Sequence, residues 1–180
     1  VLIEIRRLNT LEASEFLGEL AAVLLDCVEG GASVSFMAPF TKAEAEEFFR
    51  KTIRGVEAGE RILLAGFVDG KLVGTVQVVT ATPPNQPHRA DIAKLLVLRS
   101  ARRSGLGAAL MKHAEECAQE AGKTLLVLDT VRGGAAERLY ENLGWTKAGV
   151  IPNYALFPDG SPCDAVIFWK ALEPLHASKP

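Results

Sequence analysis

Apolar residues recur along this chain with two periods, and the switches between them outline its elements. LIEIRRL alternates as a short strand, after which Phe16, Leu17, Leu20, Leu24 and Val28 keep the spacing of one helix face. Asn9, with Glu12 three positions on, is a capping-box pattern for the start of that helix, and Gly30-Gly31 ends it. Thr41 and Glu44 repeat the pattern ahead of a second helix, whose stripe is Phe48, Phe49, Ile53 and Val56. RILLAGFV and KLVGTVQVVT flank Asp69-Gly70, a pair that tolerates the positive φ angles of a tight hairpin.

TPPNQPHRA then delays the next strand, DIAKLLVL, by a turn-rich surface loop long enough to border a site. A helix over residues 105–121 places Leu106, Leu110, Ala114 and Cys117 on one side, with Lys112, Glu115, Glu116 and Gln119 on the other. KTLLVLDT is a buried strand, AAERLYENLG a short helix, and WTKAGVIPNYALF a strand that PDGSP turns back into CDAVIFWKAL. The order β α α β β β α β α β β predicts a mixed α/β (α+β) fold: a central sheet of about six or seven strands with helices on both faces. Its one parallel crossover lies between Asp91 and Thr130. Residues 1–180 are expected to be a single domain ending in a mobile tail from residue 173, which holds His176.

The 48% hydrophobic content supplies a core for such a sheet. Lys plus Arg (20) nearly balances Asp plus Glu (22), so the net charge of -2 implies neither nucleic acid nor anionic lipid as a partner. VLIEIRR lacks the order of a secretion signal, and no apolar stretch is long enough to span a bilayer. Cys27, Cys117 and Cys163 are odd in number and far apart, with no metal-ligand spacing. They fit reduced, inert thiols in a cytoplasmic protein, and no metal is expected.

RRSGLGAAL, Arg102 to Leu110, stands between a strand and a helix. A helix N-terminus presents unpaired N–H groups and partial positive charge to phosphate oxygens, Gly105 and Gly107 allow close approach, and Arg102 and Arg103 add charge. The chain has no GxxxxGK[ST] string, which excludes a Walker loop. A dinucleotide fingerprint fails because Leu110 stands where a third small residue should pack and too few βα units remain. Arg102-x-x-Gly105-x-Gly107 resembles the acyl-CoA pyrophosphate loop of the GNAT N-acetyltransferases, (R/Q)-x-x-G-x-(G/A). About thirty residues later, AERLYENLGW resembles their second motif, whose tyrosine faces the CoA sulfur. The sequence departs at Arg99, Arg103 and Gly133, where proline, glycine and asparagine are common. GGASVSFMA, RADIAKLLVLRSARRSGLGAALM, LLVLDTVRGGAAERLY and PNYALFPDG further resemble family members that inactivate a β-lactam toxin.

The resemblance implies acetyl-CoA as co-substrate, held by Leu96, Val97 and Leu98 at the strand end and by Arg102, Arg103, Ser104, Gly105, Leu106, Gly107 and Ala108 in the turn. It implies a small-molecule amine as acceptor, shaped by the GGASVSFMA and TPPNQPHR loops, with a peptide or polyamine acceptor or a non-catalytic acyl-CoA sensor as alternatives. Deprotonating a lysine-like amine at neutral pH costs about 4 to 5 kcal/mol, so a base is needed. The resemblance carries that role to Asp129 first and Asp91 second, directly or through a water, and partial burial must raise the carboxylate for it to work. The plainer alternative has Asp129 cap a turn or pair with Arg132. Tyr140 is the candidate acid for the departing thiolate, and the N–H of Val97 the candidate donor to the thioester carbonyl. His113 is expected at the border of the core, and His88 in the loop near substrate.

Overall fold

The computed structural model describes residues 1–175, which include the first three residues of the expected tail; His176 and the four residues after it lie outside them. The chain runs β1 (Ile3–Arg7), α1 (Thr10–Glu15), α2 (Leu17–Glu29), α3 (Lys42–Glu57), β2 (Arg61–Val68), β3 (Lys71–Val79) and β4 (Arg89–Val97). It continues through α4 (Leu106–Glu120), β5 (Leu125–Val131), α5 (Ala135–Asn142), β6 (Thr146–Leu156) and β7 (Pro162–Ala171). Both capping boxes form: Asn9 Oδ1 accepts from Glu12 N at 2.8 Å, and Thr41 Oγ1 from Glu44 N at 3.2 Å. Asp69 and Gly70 take φ 48 and 80, the two positive angles of a two-residue hairpin.

The first helix departs from expectation, for it is two. Phe16 (φ -91, ψ 13) separates α1 from α2, and its ring packs edge-on against Phe67 of β2 at 5.3 Å. The break thus coincides with a packing contact on the sheet, although helical bonds still run through it from Phe16 N to Glu12 O and from Leu20 N to Phe16 O. On α4 the buried stripe is Leu106, Leu110, Met111, Ala114 and Ala118. Cys117 is only half-buried at its edge, and Glu115, expected on the polar side, bonds to Trp145 Nε1 and Lys170 Nζ.

The sheet has seven strands in the order β1-β2-β3-β4-β5-β7-β6, antiparallel except for β4 with β5. Along β2, Leu63, Ala65 and Phe67 face α1, α2 and α3, while Ile62 and Leu64 face α4. Helices therefore cover both faces. Among the described residues no helix is long and apolar enough to cross a membrane.

Two features of this frame set the position of everything that follows. First, β4 pairs with β5 only at Arg89, Ala90 and Asp91, opposite Leu125, Leu126 and Val127. Against β3, the register jumps from Ala93↔Gln77 to Leu96↔Thr75, so β4 carries one extra residue there. Lys94 takes φ 53 at this bulge. Bulges bend a strand and break its pairing, and beyond this one β4 and β5 make no further ladder pairs. Second, α4 lands on glycines. A Cβ at Gly66 would lie 2.7 Å from Leu106 Cδ1, and one at Gly74 would lie 2.9 Å from Leu106 Cδ2 and 3.1 Å from Leu96 O. Leu106 is 1% exposed in this cradle, which seats the helix N-terminus against the sheet.

A methyl group at Gly74 meets backbone as well as a side chain, so Gly74→Ala is expected to destabilise by about 1–3 kcal/mol. Urea unfolding checks this, and a loss below a few tenths of a kcal/mol would show the cradle to be loose.

Candidate active site

The basic turn joins β4 to α4. After the short 3-10 turn at Arg99–Ala101, Arg103 (φ 61) and Gly105 (φ 87) both take left-handed backbone. A Cβ on Gly105 would touch nothing, so glycine is needed there for its φ rather than for space. Gly107 differs: a Cβ there would lie 3.3 Å from Leu139 Cδ2, which makes it the close contact between α4 and α5. Arg103, exposed on a left-handed backbone, explains why its position favours glycine in related loops.

The first backbone bond into α4 is Ala109 N–H to Gly105 O at 3.1 Å. The N–H groups of Gly107 and Ala108 are free of helical partners, as in any first turn. Ser104 Oγ donates to Ala101 O at 2.7 Å and faces Leu106 N at 3.4 Å. The turn is clamped from below by Asp26 of α2, which accepts from Arg99 N at 2.8 Å and Arg99 Nε at 2.9 Å. Partial burial pushes the Asp26 carboxyl up, but the Arg99 hydrogen bonds and charge outweigh it and hold the group below its ordinary value. Arg102 Nε turns back to Val97 O at 3.4 Å.

Leu98 N–H donates to Val73 O at 2.9 Å in register with β3. Alternation along an antiparallel ladder then points Leu96 N–H to β3 as well, and Val97 N–H to the edge that β5 has left. Leu96 is 2% exposed in the α2–α3 core, and Leu106 is buried, so each can offer at most backbone to a ligand. Buried Cys27 Sγ donates to Val97 O at 3.6 Å; burial pushes its thiol up, keeping it neutral.

Across the gap, Leu126 and Leu128 of β5 are buried against α4 and α5, so Asp129 projects from the opposite face. It is exposed; the partial burial expected of a base is absent, because no helix covers this end of β5. Arg132 pairs with Asp164 at 3.5 Å rather than with Asp129. Asp91, the last residue of β4 that pairs with β5, is bound to the Arg89 guanidinium, which Gln86 orients at 2.7 Å. Tyr140 of α5 is 5% exposed, its ring 6.0 Å from Trp145 and 5.8 Å from Phe168. Its hydroxyl has no protein partner among the described residues, yet is not a sealed, unsatisfied atom. Burial, and then the Asp129 carboxylate, push the phenol far above its ordinary value of 10.0.

Other expectations fail. TPPNQPHR lies at the closed end of the β4–β5 pair, where His88 O accepts from Thr124 N at 2.8 Å and Pro87 O from Lys123 Nζ at 2.7 Å. It does not line the open gap. His113 is exposed and turned to Ala109 O at 3.0 Å, outside the core. GGASVSFMA does border the gap: Ser33 Oγ donates to Leu156 O at 2.6 Å and Ala38 N–H to Pro158 O at 2.9 Å, bridging α2 to the β6–β7 hairpin. Sequence reasoning missed Lys94, whose Nζ meets Ser35 Oγ at 2.9 Å. Its signal was one charge inside the apolar run IAKLLVL.

A strand pair that parts after three residues, with a donor-rich glycine turn at the open end, fits a long ligand carrying a diphosphate. Comparison agrees in kind. Residues 31–145 match the acetyltransferase (GNAT) family, and the chain belongs to that family. It is 30% identical over 129 residues to an uncharacterized N-acetyltransferase from the hisH-hisA intergenic region of Azospirillum brasilense, covering 71% of this chain and 74% of that one. The fold is that of an N-acetyltransferase from Staphylococcus aureus Mu50, with TM-score 0.79, 19% identity, and 96% of this chain and 100% of that one covered. It is also that of a Salmonella typhimurium structure described as an acetyltransferase with its cofactor acetyl-CoA, with TM-score 0.76, 15% identity and 99% of both chains covered.

The clamp on the turn has a pH signature. A folded Asp26 carboxyl below its ordinary 3.8 stabilises fully above that pH and loses the contribution as pH falls through the lowered value. Asp26→Asn is expected to cost about 1–3 kcal/mol at neutral pH and to flatten the acid limb, measured by urea unfolding down to about pH 3.

Proposed function

We propose that this protein transfers an acetyl group from acetyl-CoA to the amine of a small molecule, within the gap between β4 and β5. The observation that carries the proposal is the end of pairing at Asp91 and Val127, with Asp129 and Tyr140 placed beyond it and the glycine turn at its mouth. Acetyl-CoA, when bound, supplies a thioester whose acyl carbon accepts the amine. The N–H groups of the first turn of α4 hold the diphosphate, aided by Arg102 and Arg103, and Val97 N–H polarises the thioester carbonyl. Asp129 takes the proton released by the amine as the new N–C bond forms, directly or through a water, and does so from an exposed position rather than from the partly buried one first required of it. Asp91 is the weaker candidate because Arg89 already holds it. Tyr140 donates its hydroxyl proton to the thiolate freed when the C–S bond breaks; its raised value keeps that proton in place.

The likeness of GGASVSFMA and PNYALFPDG to segments of the tabtoxin resistance protein supports a toxin or antibiotic of the tabtoxinine-β-lactam type as acceptor, and a part in resistance. Action in the cytoplasm belongs to the same proposal and accords with three free cysteines.

Screening thiol release against the toxin, common antibiotics, polyamines, amino acids and peptides tests the acceptor. With a true substrate, Tyr140→Phe and Asp129→Asn are each expected to lower kcat by about 100-fold or more. Wild-type rates in either variant remove that residue from the mechanism. Because the phenol is held far above 10.0, kcat should show no alkaline decline from tyrosine ionisation up to about pH 10. Gly105→Glu, placing a carboxylate and a strained φ in the turn, should abolish acetyl-CoA binding in calorimetry, and unchanged affinity would move the site elsewhere.

A further inference from the structure

Lys94 takes no part in the phosphate turn or in the proton transfers proposed above, yet its placement is the most constrained in the gap. Its backbone is left-handed at φ 53, on the bulge that parts β4 from β5. The side chain leaves the sheet toward α3, with Nζ 5.9 Å from the Phe48 ring centroid and 2.9 Å from Ser35 Oγ. Ser35 is itself left-handed at φ 82, held between the Ser33 and Ala38 anchors to the β6–β7 hairpin. Two non-glycine residues with positive φ, one from a strand and one from a loop, thus meet at a single hydrogen bond. Backbone strain of this sort persists where the surrounding structure imposes it, and it concentrates at ligand sites.

The ammonium has three donors and one of them is used. Among the described residues no carboxylate lies within ion-pair distance of it. Burial pushes its pKa down, the Asp129 carboxylate on β5 acts against that, and Arg61 adds to it. A half-buried charge without a counterion is costly, and an incoming anion relieves the cost. Asp129 and Lys94 leave the sheet on the same face, from the two strands that part, so the gap is negative on the β5 side and positive on the β4 side.

We infer that Lys94 Nζ and Ser35 Oγ form a carboxylate-binding subsite, so that the acceptor is a zwitterion of amino-acid type with its acid group on Lys94 and its amine toward Asp129. The position of the amine rests on the acetyl-transfer proposal; the acid subsite does not.

The test uses the full chain and a set of probes: the protein amino acids, each beside its decarboxylated amine and its methyl ester. Thiol release gives kcat and KM, and calorimetry on the CoA-loaded protein gives binding without turnover. The wild type should favour the acid over its matched amine by about 10- to 100-fold in kcat/KM, the range of a charge-assisted contact. Lys94→Met should erase that preference through KM, Lys94→Arg should restore most of it, and Ser35→Ala should lose a smaller part. Equal use of acid and amine by the wild type overturns the inference, as does a preference that survives Lys94→Met or a loss of equal size for both. Acids that bind the loaded protein in a Lys94-dependent way without thiol release uphold the subsite and sink acetyl transfer instead. If no acid binds the wild type, the subsite is wrong whatever the amines do.

Discussion

Backbone pairing between β4 and β5 stops at Asp91 and Val127, and the rest of the site depends on that stop. A buried strand edge left without a neighbour presents N–H and C=O groups that must find partners. The extra residue at Lys94 makes the edge by turning β4 while its bonds to β3 resume at Leu96. β3 therefore holds one side of the strand in register, and the other side, with Val97 N–H, is left without a strand partner. A regular strand would have zipped onto β5 along its length and closed the gap.

What stands at the open end is fixed by packing rather than by polar contacts. Leu106 fills the space that side chains on Gly66 and Gly74 would occupy, and Gly107 brings α4 against Leu139 of α5. The N-terminus of α4 thereby stands at the open end of the β4–β5 pair, and Tyr140 of α5 is packed into the core beneath it. Asp26 and Arg99 complete the support by holding the turn to α2. Glu115, with Trp145 Nε1 at 3.0 Å and Lys170 Nζ at 2.8 Å, joins α4 to Trp145 and to β7. The free N–H groups of the first turn of α4 are thus held in place by contacts within the protein, and such preorganisation lowers the ordering cost of any ligand bound there.

Charge in the gap is arranged by strand alternation. Leu126 and Leu128 go to the core below, so Asp129 goes above; Tyr140 comes from below with its ring enclosed by Trp145 and Phe168. Burial raises the phenol's pKa and the Asp129 carboxylate adds to it, while the same carboxylate counters the burial of Lys94. Asp129 stays exposed at the open end, and the loop from Ser33 to Ala38 spans from α2 to the hairpin of β6 and β7.

Much of the frame was legible along the chain. Capping at Asn9 and Thr41, the Asp69-Gly70 hairpin, the glycine turn and the motif around Tyr140 each depend on residues within a few positions of one another, so local chemistry settles them. The break at Phe16 was not legible, because the ring it packs against, Phe67, lies on a strand some fifty positions later. The same holds for Asp91, taken up by Arg89, and for the proline-rich loop, placed at the closed end by its bonds to Lys123 and Thr124. Lys94 stood out in the sequence only as a charge among apolar neighbours. Its meeting with Ser35 and its place on the same face as Asp129 follow from the register of β4 against β3 and its departure from β5, which no local pattern encodes. The sequence by itself carried most of the elements, the family resemblance and the glycine turn, because those reside in near-neighbour spacing. Tertiary structure alone decided which charges share the gap, because long-range strand register sets the face on which each side chain emerges.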